Sequence, residues 1–300
     1  MGPLRFELKS LAPQAAPYGE KQSINVTEET LKQYLDILEI NGICNDWKIS
    51  VDRFILQPYF QHLHWNITFP DTLKYLKILK DRHSPSYYRK QVYQIRKFLE
   101  YVGVDWSKKL NPPPEPQYLP KRISSNAIQD TISHYLDNEY YLQVKAIILL
   151  GTTSGMRAEE LYQLALDDID LDNRIVRINH NPNNGQSTKT KRSRVSFFTD
   201  ITKQALVEYL EYYHQNNILK CLFSQSHIER LFRDKNVVIR VKELRKYFSQ
   251  EWDRRGGPTS IKKILMGHSL RGDVDLMHYN CQSEEDLKLI YDKVMGGVRV

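Results

Sequence analysis

Residues 153–161 read Thr153-Ser154-Gly155-Met156-Arg157-Ala158-Glu159-Glu160-Leu161. Upstream, the span Leu142–Thr152 reads as a buried helix, with Ala146-Ile147-Ile148-Leu149-Leu150 at its centre. Gly155 frees the backbone for a sharp turn, because glycine reaches left-handed conformations without a Cβ penalty. A new helix is expected to start about Arg157, which would sit on its first turn. An arginine there adds a two-pronged fork to the free amides of a helix start, a combination that suits an anion. Arg157 taken alone would also pass for a surface residue.

Working outward, Arg174-Ile175-Val176-Arg177-Ile178 alternates like a strand, Asn181-Pro182-Asn183-Asn184-Gly185 is a turn, and Arg194-Val195-Ser196-Phe197-Phe198 reads as a second strand. Between them lies Ser187-Thr188-Lys189-Thr190-Lys191-Arg192-Ser193-Arg194. Its positive charges repel one another unless an anion lies near, although a solvated loop would carry them too. Further on, Val241-Lys242-Glu243-Leu244-Arg245-Lys246-Tyr247-Phe248 places Lys242 and Arg245 on one helix face and turns Leu244, Tyr247 and Phe248 to the core. Leu265-Met266-Gly267-His268-Ser269-Leu270 starts a turn with a Gly-His pair, and Met277-His278-Tyr279-Asn280 follows. Past Thr199 the pattern is helical apart from loops near 214–226, 254–259 and 270–274.

The first half of the chain is helical. Residues 1–22 look like a loose tail. A helix begins from Val26, with Thr27 as its cap and Leu31, Tyr34, Leu35 and Leu38 on one face. Pro70-Asp71-Thr72 opens a second helix carrying Leu73, Leu76, Ile78 and Leu79. Ser84-Pro85-Ser86 opens a third, with Tyr88, Val92, Ile95, Phe98, Leu99 and Val102 at helical spacing. Lys74, Lys77, Lys80, Arg82, Arg89, Lys90, Arg96 and Lys97 decorate these two helices, as a solvated face or as a surface for a polyanion. Asn111-Pro112-Pro113-Pro114-Glu115-Pro116 cannot continue a helix. The organisation expected is therefore a tail over 1–22, a helical domain over 23–110, a Pro-rich linker over 111–122 and a mixed α/β domain over 123–300, its first helix near Ser125–Asn138. The fold class is mainly α with a small β-sheet or hairpin.

The chain holds 43 basic and 36 acidic residues among 300, a net charge of +7. Such a balance fits a polyphosphate partner. Cys44, Cys221 and Cys281 are too few and too far apart for a disulfide framework or a zinc spacing. His62 and His64, set among Tyr59, Phe60 and Trp65, read as packing or surface residues rather than metal ligands. No P-loop and no acidic pair of the two-metal type is present, so neither cofactor nor metal is expected. Mean hydropathy is −0.56. The longest apolar run is too short to cross a bilayer and the N-terminus lacks a signal-peptide pattern, so a soluble cytoplasmic protein without a membrane partner is expected.

The order Arg157, Lys189, Lys242-x-x-Arg245, Gly267-His268, Tyr279 resembles the signature of the tyrosine recombinases, or phage integrases. Gly-Met-Arg-Ala-Glu-Glu-Leu is similar to the family's first arginine box, Lys-Glu-Leu-Arg-Lys to its second and Leu-Met-Gly-His-Ser to its Leu-Gly-His-Ser box. The resemblance covers about residues 125–295; the first half is similar only in pattern, chiefly at Ser84–Val102. It implies a helical DNA-binding domain and a catalytic domain that clamp double-stranded DNA attachment sites, as a homotetramer on DNA and a monomer when free.

By the same resemblance, Arg157 and Arg245 hold the scissile phosphate. Lys189 protonates the departing 5′ oxygen, with Lys191 as second choice, and Lys242 and His268 assist. Tyr279 becomes joined to DNA as a 3′-phosphotyrosine, and Glu160 orients the cluster. Lys191, Arg192, Arg194, Lys246, Arg89 and Lys90 are the expected DNA-facing cations. The second box opens with Lys242 where the family usually has His, and His268 lies eleven residues before Tyr279 where nine is common. The run Gly-Asp-Val-Asp-Leu-Met-His-Tyr-Asn is similar to archaeal plasmid and virus integrases, which points to a mobile element. A DNA-binding relative without catalysis and a type IB topoisomerase are the rival readings. Last, Ser283-Glu284-Glu285-Asp286 opens a C-terminal helix whose Leu287, Ile290, Tyr291 and Val294 either link protomers or dock on their own domain.

Overall fold

The structure, a computed structural model, describes residues 23–215, 222–234, 236–268 and 282–298. The tail expected over 1–22 and Tyr279 lie outside the described residues. The chain divides into two compact units at Leu119–Pro120, inside the proline-rich stretch.

In the first unit, the Thr27 hydroxyl accepts the Thr30 amide at 3.2 Å and starts α1 (Glu28–Ile40), which buries Leu31 and Tyr34. Thr68, rather than the Pro70–Thr72 stretch, caps α4 (Phe69–Arg82) by accepting the Asp71 amide at 3.2 Å. The inner face of α4 is Thr72, Tyr75, Leu76 and Leu79, whereas Leu73 and Ile78, also carried by this helix, are exposed. A threonine can take a core position here because its hydroxyl meets the buried Tyr59 hydroxyl at 2.7 Å. Ser84 caps α5 (Pro85–Tyr101), which buries Val92, Ile95, Phe98 and Leu99 as its spacing predicts.

The stretch between these helices was not anticipated from sequence. It forms α2 (Asn45–Val51), a π-helical segment (Asp52–Leu56) and α3 (Gln57–His62), and β1 (Ile24–Asn25) pairs with β2 (Asn66–Ile67). His62 ends α3 with its ring against Tyr75, 5.0 Å between centroids.

The second unit is built around α7 (Tyr141–Ser154), buried along most of its length. It is preceded by α6 (Ser125–Ser133), which stops short of the expected Asn138, and is packed by α9 (Asp200–Gln215) and α11 (Val241–Arg254). A Cβ at Gly151 would come within 2.7 Å of Leu244 Cδ1, so the missing side chain is what lets α11 approach α7. Short α8 (Ala158–Tyr162) leads into an antiparallel sheet of β3 (Ile169–Asp170), β4 (Ile175–Ile178) and β5 (Arg194–Phe197), with Ile178 opposite Arg194. Strands β4 and β5 match the expected hairpin; β3 is an addition. The order is completed by α10 (Gln225–Leu231), α12 (Thr259–Met266) and α13 (Glu284–Met295).

Of the two readings of α13, the structure has the intramolecular one. Ser283 caps the helix, and Leu287, Tyr291, Val294 and Met295 join Phe197, Phe248, Trp252 and Leu265 in one buried cluster, with Val298 behind them. The Tyr291 hydroxyl donates to the Thr153 carbonyl at 2.9 Å. Burying one such side chain stabilises by about 1.5–3 kcal/mol. Together they rival the roughly 5–15 kcal/mol net stability of a typical domain. Truncation after Asn280 is therefore expected to abolish cooperative melting of the second unit. Circular dichroism and limited proteolysis would check this, and a truncated chain that melts like the full one would contradict it.

Candidate active site

Helix α7 ends at Ser154, and Gly155 follows in the left-handed region at φ +66°. A side chain there would be strained, and its Cβ would fall 2.5 Å from Phe248 Cδ1. The turn makes Arg157 the capping residue just before α8, one position earlier than expected. Its amide donates to Glu160 Oε2 at 2.8 Å, its Nη1 to Glu160 Oε1 at 2.9 Å, and its Nη2 to the Gly267 carbonyl at 3.1 Å. From α11, Arg245 Nη1 donates to the Gly155 carbonyl at 2.7 Å. The two arginines are thus fixed on the carbonyls of Gly267 and Gly155, both left-handed.

Arg194 needs correcting. It was expected to face DNA, but its side chain is only 8% exposed. Its Nη1 and Nη2 donate to the Glu160 carboxylate at 3.0 and 2.7 Å, and its Nε donates to the Leu265 carbonyl at 2.9 Å. Sequence reasoning missed this role, and the fold supplies the reason. Side chains alternate along a strand, so Arg194 and Ser196 share a face of β5. Ser196 Oγ donates to the Ser154 carbonyl at 2.7 Å, so that face looks at the end of α7.

Two guanidiniums therefore grip one carboxylate, and a third, Arg245, is near enough to feel their charge. Burial alone would raise the Glu160 carboxyl, but the hydrogen bonds and charge of Arg194 and the amide and guanidinium of Arg157 outweigh it and hold the group at about 2. Burial, followed by the neighbouring Arg157, pushes Arg245 down to about 10, which leaves it charged at neutral pH. His268 follows the end of α12. Gly267, at φ +64°, donates its amide to Ile264 O, and the His268 amide donates to Lys263 O at 2.9 Å, a glycine-terminated helix end. Loss of solvent, then Arg245, Arg157, Lys262 and Arg194, hold the His268 imidazole below its ordinary value. At neutral pH it is uncharged and can accept a proton.

The sign of the Glu160 shift gives a prediction. A carboxylate whose folded pKa is depressed contributes stability above its unfolded value, which is lost as pH falls through the folded one. Here the window runs from the ordinary 4.5 down to about 2, and at about 1.4 kcal/mol per unit the contribution is on the order of 3 kcal/mol. Thermal melts of the wild type and Glu160→Gln across that range should converge toward the acid end. Parallel curves would refute the assignment.

The other expected site residues lie apart from this cluster of contacts. Lys242 and Lys246 are exposed on α11, and Lys189, Lys191 and Arg192 are exposed between β4 and β5. Their side chains make no hydrogen bond or ion pair among the described residues. The loop that carries Lys189 is pinned at its base. Gln186 Nε2 donates to Asp168 Oδ2 at 2.6 Å, and the Thr188 amide to His180 Nδ1 at 3.1 Å. Arg89 and Lys90 sit half-buried on α5 of the first unit, the Lys90 ammonium 4.0 Å from the centre of the Trp47 ring. Arg157, Arg245 and His268 are thus brought near one another, and Glu160 holds the Arg157 amide and guanidinium.

Comparison with known proteins gives a consistent picture. The sequence pattern of the phage integrase family matches residues 121–285, more than half of the chain. A tyrosine recombinase XerA of Saccharolobus solfataricus is 32% identical over 124 residues, 41% of this chain and 38% of that protein. A XerA of Pyrococcus horikoshii is 26% identical over 155 residues, 51% of this chain and 52% of that one. The matches thus span about half or less of these relatives. Among solved structures, the Tn1549 transposon integrase in complex with transposon right-end DNA has the same fold, with a TM-score of 0.60 at 14% identity over 89% of this chain and 99% of that one.

Proposed function

The chain belongs to the phage integrase family, and from that premise we propose that it cleaves and rejoins DNA strands at specific sites through a 3′-phosphotyrosine intermediate. The observation that carries this reading is the pair Arg157 and Arg194 on the single Glu160 carboxylate, with Arg245 held on the Gly155 carbonyl and His268 following the Gly267 that Arg157 binds. Such a site has an excess of fixed positive charge and a proton acceptor, which is what a phosphodiester under attack requires.

In the reaction, the Tyr279 oxygen attacks the scissile phosphorus while the bond from phosphorus to the 5′ oxygen breaks. A phenol ordinarily ionises near pH 10, about three units above neutrality, so its proton must have a destination. His268 accepts it. Arg157 and Arg245 hold the non-bridging oxygens; both stay charged and present planar forks. Lys189 gives a proton to the departing 5′ oxygen, with Lys191 as the alternative donor, and Lys242 braces the phosphate. Rejoining is the reverse, a 5′ hydroxyl displacing the tyrosine. The bond energy is kept in the phosphotyrosine, so the chemistry as written uses neither nucleotide triphosphate nor metal.

The partner is a pair of double-stranded attachment sites, held by a homotetramer that assembles on DNA from free monomers. The exposed Lys191, Arg192 and Lys246, with Arg89 and Lys90 of the first unit, are the proposed backbone contacts. A mobile element is the proposed setting. The test is a library of nicked duplexes of random sequence. The wild-type protein should be recovered covalently joined to a recurrent sequence, and strands should be exchanged between two such duplexes. DNA binding without any adduct would favour a binding-only relative. An adduct without joining between duplexes would favour a topoisomerase.

A further inference from the structure

We propose that Arg194 is a positioning residue of the strand-cleavage reaction, tying the helix start that carries Arg157 to the turn that carries His268. This rests on the reading of the site just given. The two groups come from distant parts of the chain and need a common frame. Arg194 supplies it with directed bonds in two directions. Both Nη atoms grip Glu160, the residue that holds the Arg157 amide and guanidinium. Its Nε holds Leu265 O, in the last turn of α12.

The α12 end also rests on the arginine physically. A Cβ at Gly267 would lie 2.8 Å from Arg194 Cδ and Nε and 2.9 Å from Cζ, so the glycine backbone runs directly against this side chain. The Gly267 carbonyl is in turn bound by Arg157 Nη2 at 3.1 Å. The Gly267 backbone is therefore held between two arginines, and His268 is the next residue.

The geometry needs arginine and not merely a cation. Lysine offers a point charge on a flexible stem and cannot reach two carboxylate oxygens and a carbonyl along fixed directions. Burial also separates Arg194 from Lys191 and Arg192. A side chain only 8% exposed, with its donors committed to Glu160 and Leu265, is not placed to add phosphate affinity. Its loss should therefore appear in the chemical step and not in binding, since a misplacement of about 1 Å from a remote change can cost about 10²-fold in rate.

The experiment compares wild type, Arg194→Lys and Glu160→Gln on a nicked duplex carrying the sequence recovered from the trapped library. It measures DNA affinity, adduct formation at saturating DNA and thermal melting together. The expected result is a loss on the order of 10²-fold in adduct formation for Arg194→Lys at near-normal affinity, with Glu160→Gln shifted the same way. A loss confined to affinity would make Arg194 a DNA contact and overturn the proposal. Full-rate cleavage by either folded variant would also overturn it. If Arg194→Lys melts below the assay temperature, the three proteins are compared at a temperature where each is folded, and a wild-type rate for Arg194→Lys there overturns the proposal. Failure of the wild type to form any adduct would instead overturn the recombinase reading, and the Arg194 role with it.

Discussion

Replacing Tyr279 by Phe is expected to abolish the covalent protein–DNA adduct while leaving DNA affinity essentially unchanged. Only the attacking oxygen is removed, and the cationic groups proposed to hold phosphate all remain. The structure also narrows the alternatives. Tyr247 and Tyr291 flank the same motifs in sequence, yet both are core residues, 2% and 0% exposed. The Tyr247 hydroxyl is shared with Ser125 Oγ at 3.0 Å, and that of Tyr291 donates to Thr153 O. Burial raises both phenols above their ordinary value, the wrong direction for a nucleophile. Denaturing electrophoresis after trapping would show the result. An adduct of unchanged yield in Tyr279→Phe would refute the assignment of the nucleophile.

The second large effect is expected at the arginines. Arg157→Ala or Arg245→Ala should lower the cleavage rate at saturating DNA by at least about 10²–10³-fold. That is the loss seen on removing one preorganised, uncharged oxyanion donor, and these donors carry full charge. Arg245→Lys should recover little, because a lysine can replace the charge but not the planar fork. Arg245 is the cleaner position. Its one side-chain hydrogen bond among the described residues, to Gly155 O, can be lost without opening the Glu160 network, whereas Arg157→Ala also removes partners of Glu160 and Gly267. Single-turnover cleavage, measured beside thermal melts, would check this. A loss of only a few-fold, with folding and binding intact, would remove these arginines from the proposed mechanism.

The parts of this architecture that sequence made legible are those where one local rule acts alone. Ser84 with Pro85, followed by apolar residues three and four apart, could only be a helix start. The alternation over 174–178 and 194–198 marked β4 and β5. The 45–62 stretch escaped because its π-helical segment breaks the 3.6-residue period on which the reading depends. Strands of two residues, such as β1 and β3, are too short to alternate. The inner face of α4 was misread because it rests on Thr72, whose burial depends on a hydroxyl partner elsewhere in the chain.

The site followed the same division. Arg157, Glu160, Arg245 and His268 were legible as motif members with fixed spacing. Arg194 was not, since it closes a run with Lys189, Lys191 and Arg192, which are charged and exposed. Only the tertiary fold brings Glu160 and Leu265 to it.

The three-to-one balance of guanidiniums and carboxylate has a consequence for the protein at rest. With Arg157 and Arg194 on Glu160 and Arg245 repelled by both, the fold carries a local excess of positive charge that its own side chains do not neutralise. An anion seated there relieves that repulsion and binds only the folded chain, so occupancy and folding are thermodynamically linked. If that anion is the DNA of the proposed reaction, the chain is most robust while it holds DNA. Off DNA it would be the more fragile species, and the interval spent there would set its exposure to unfolding.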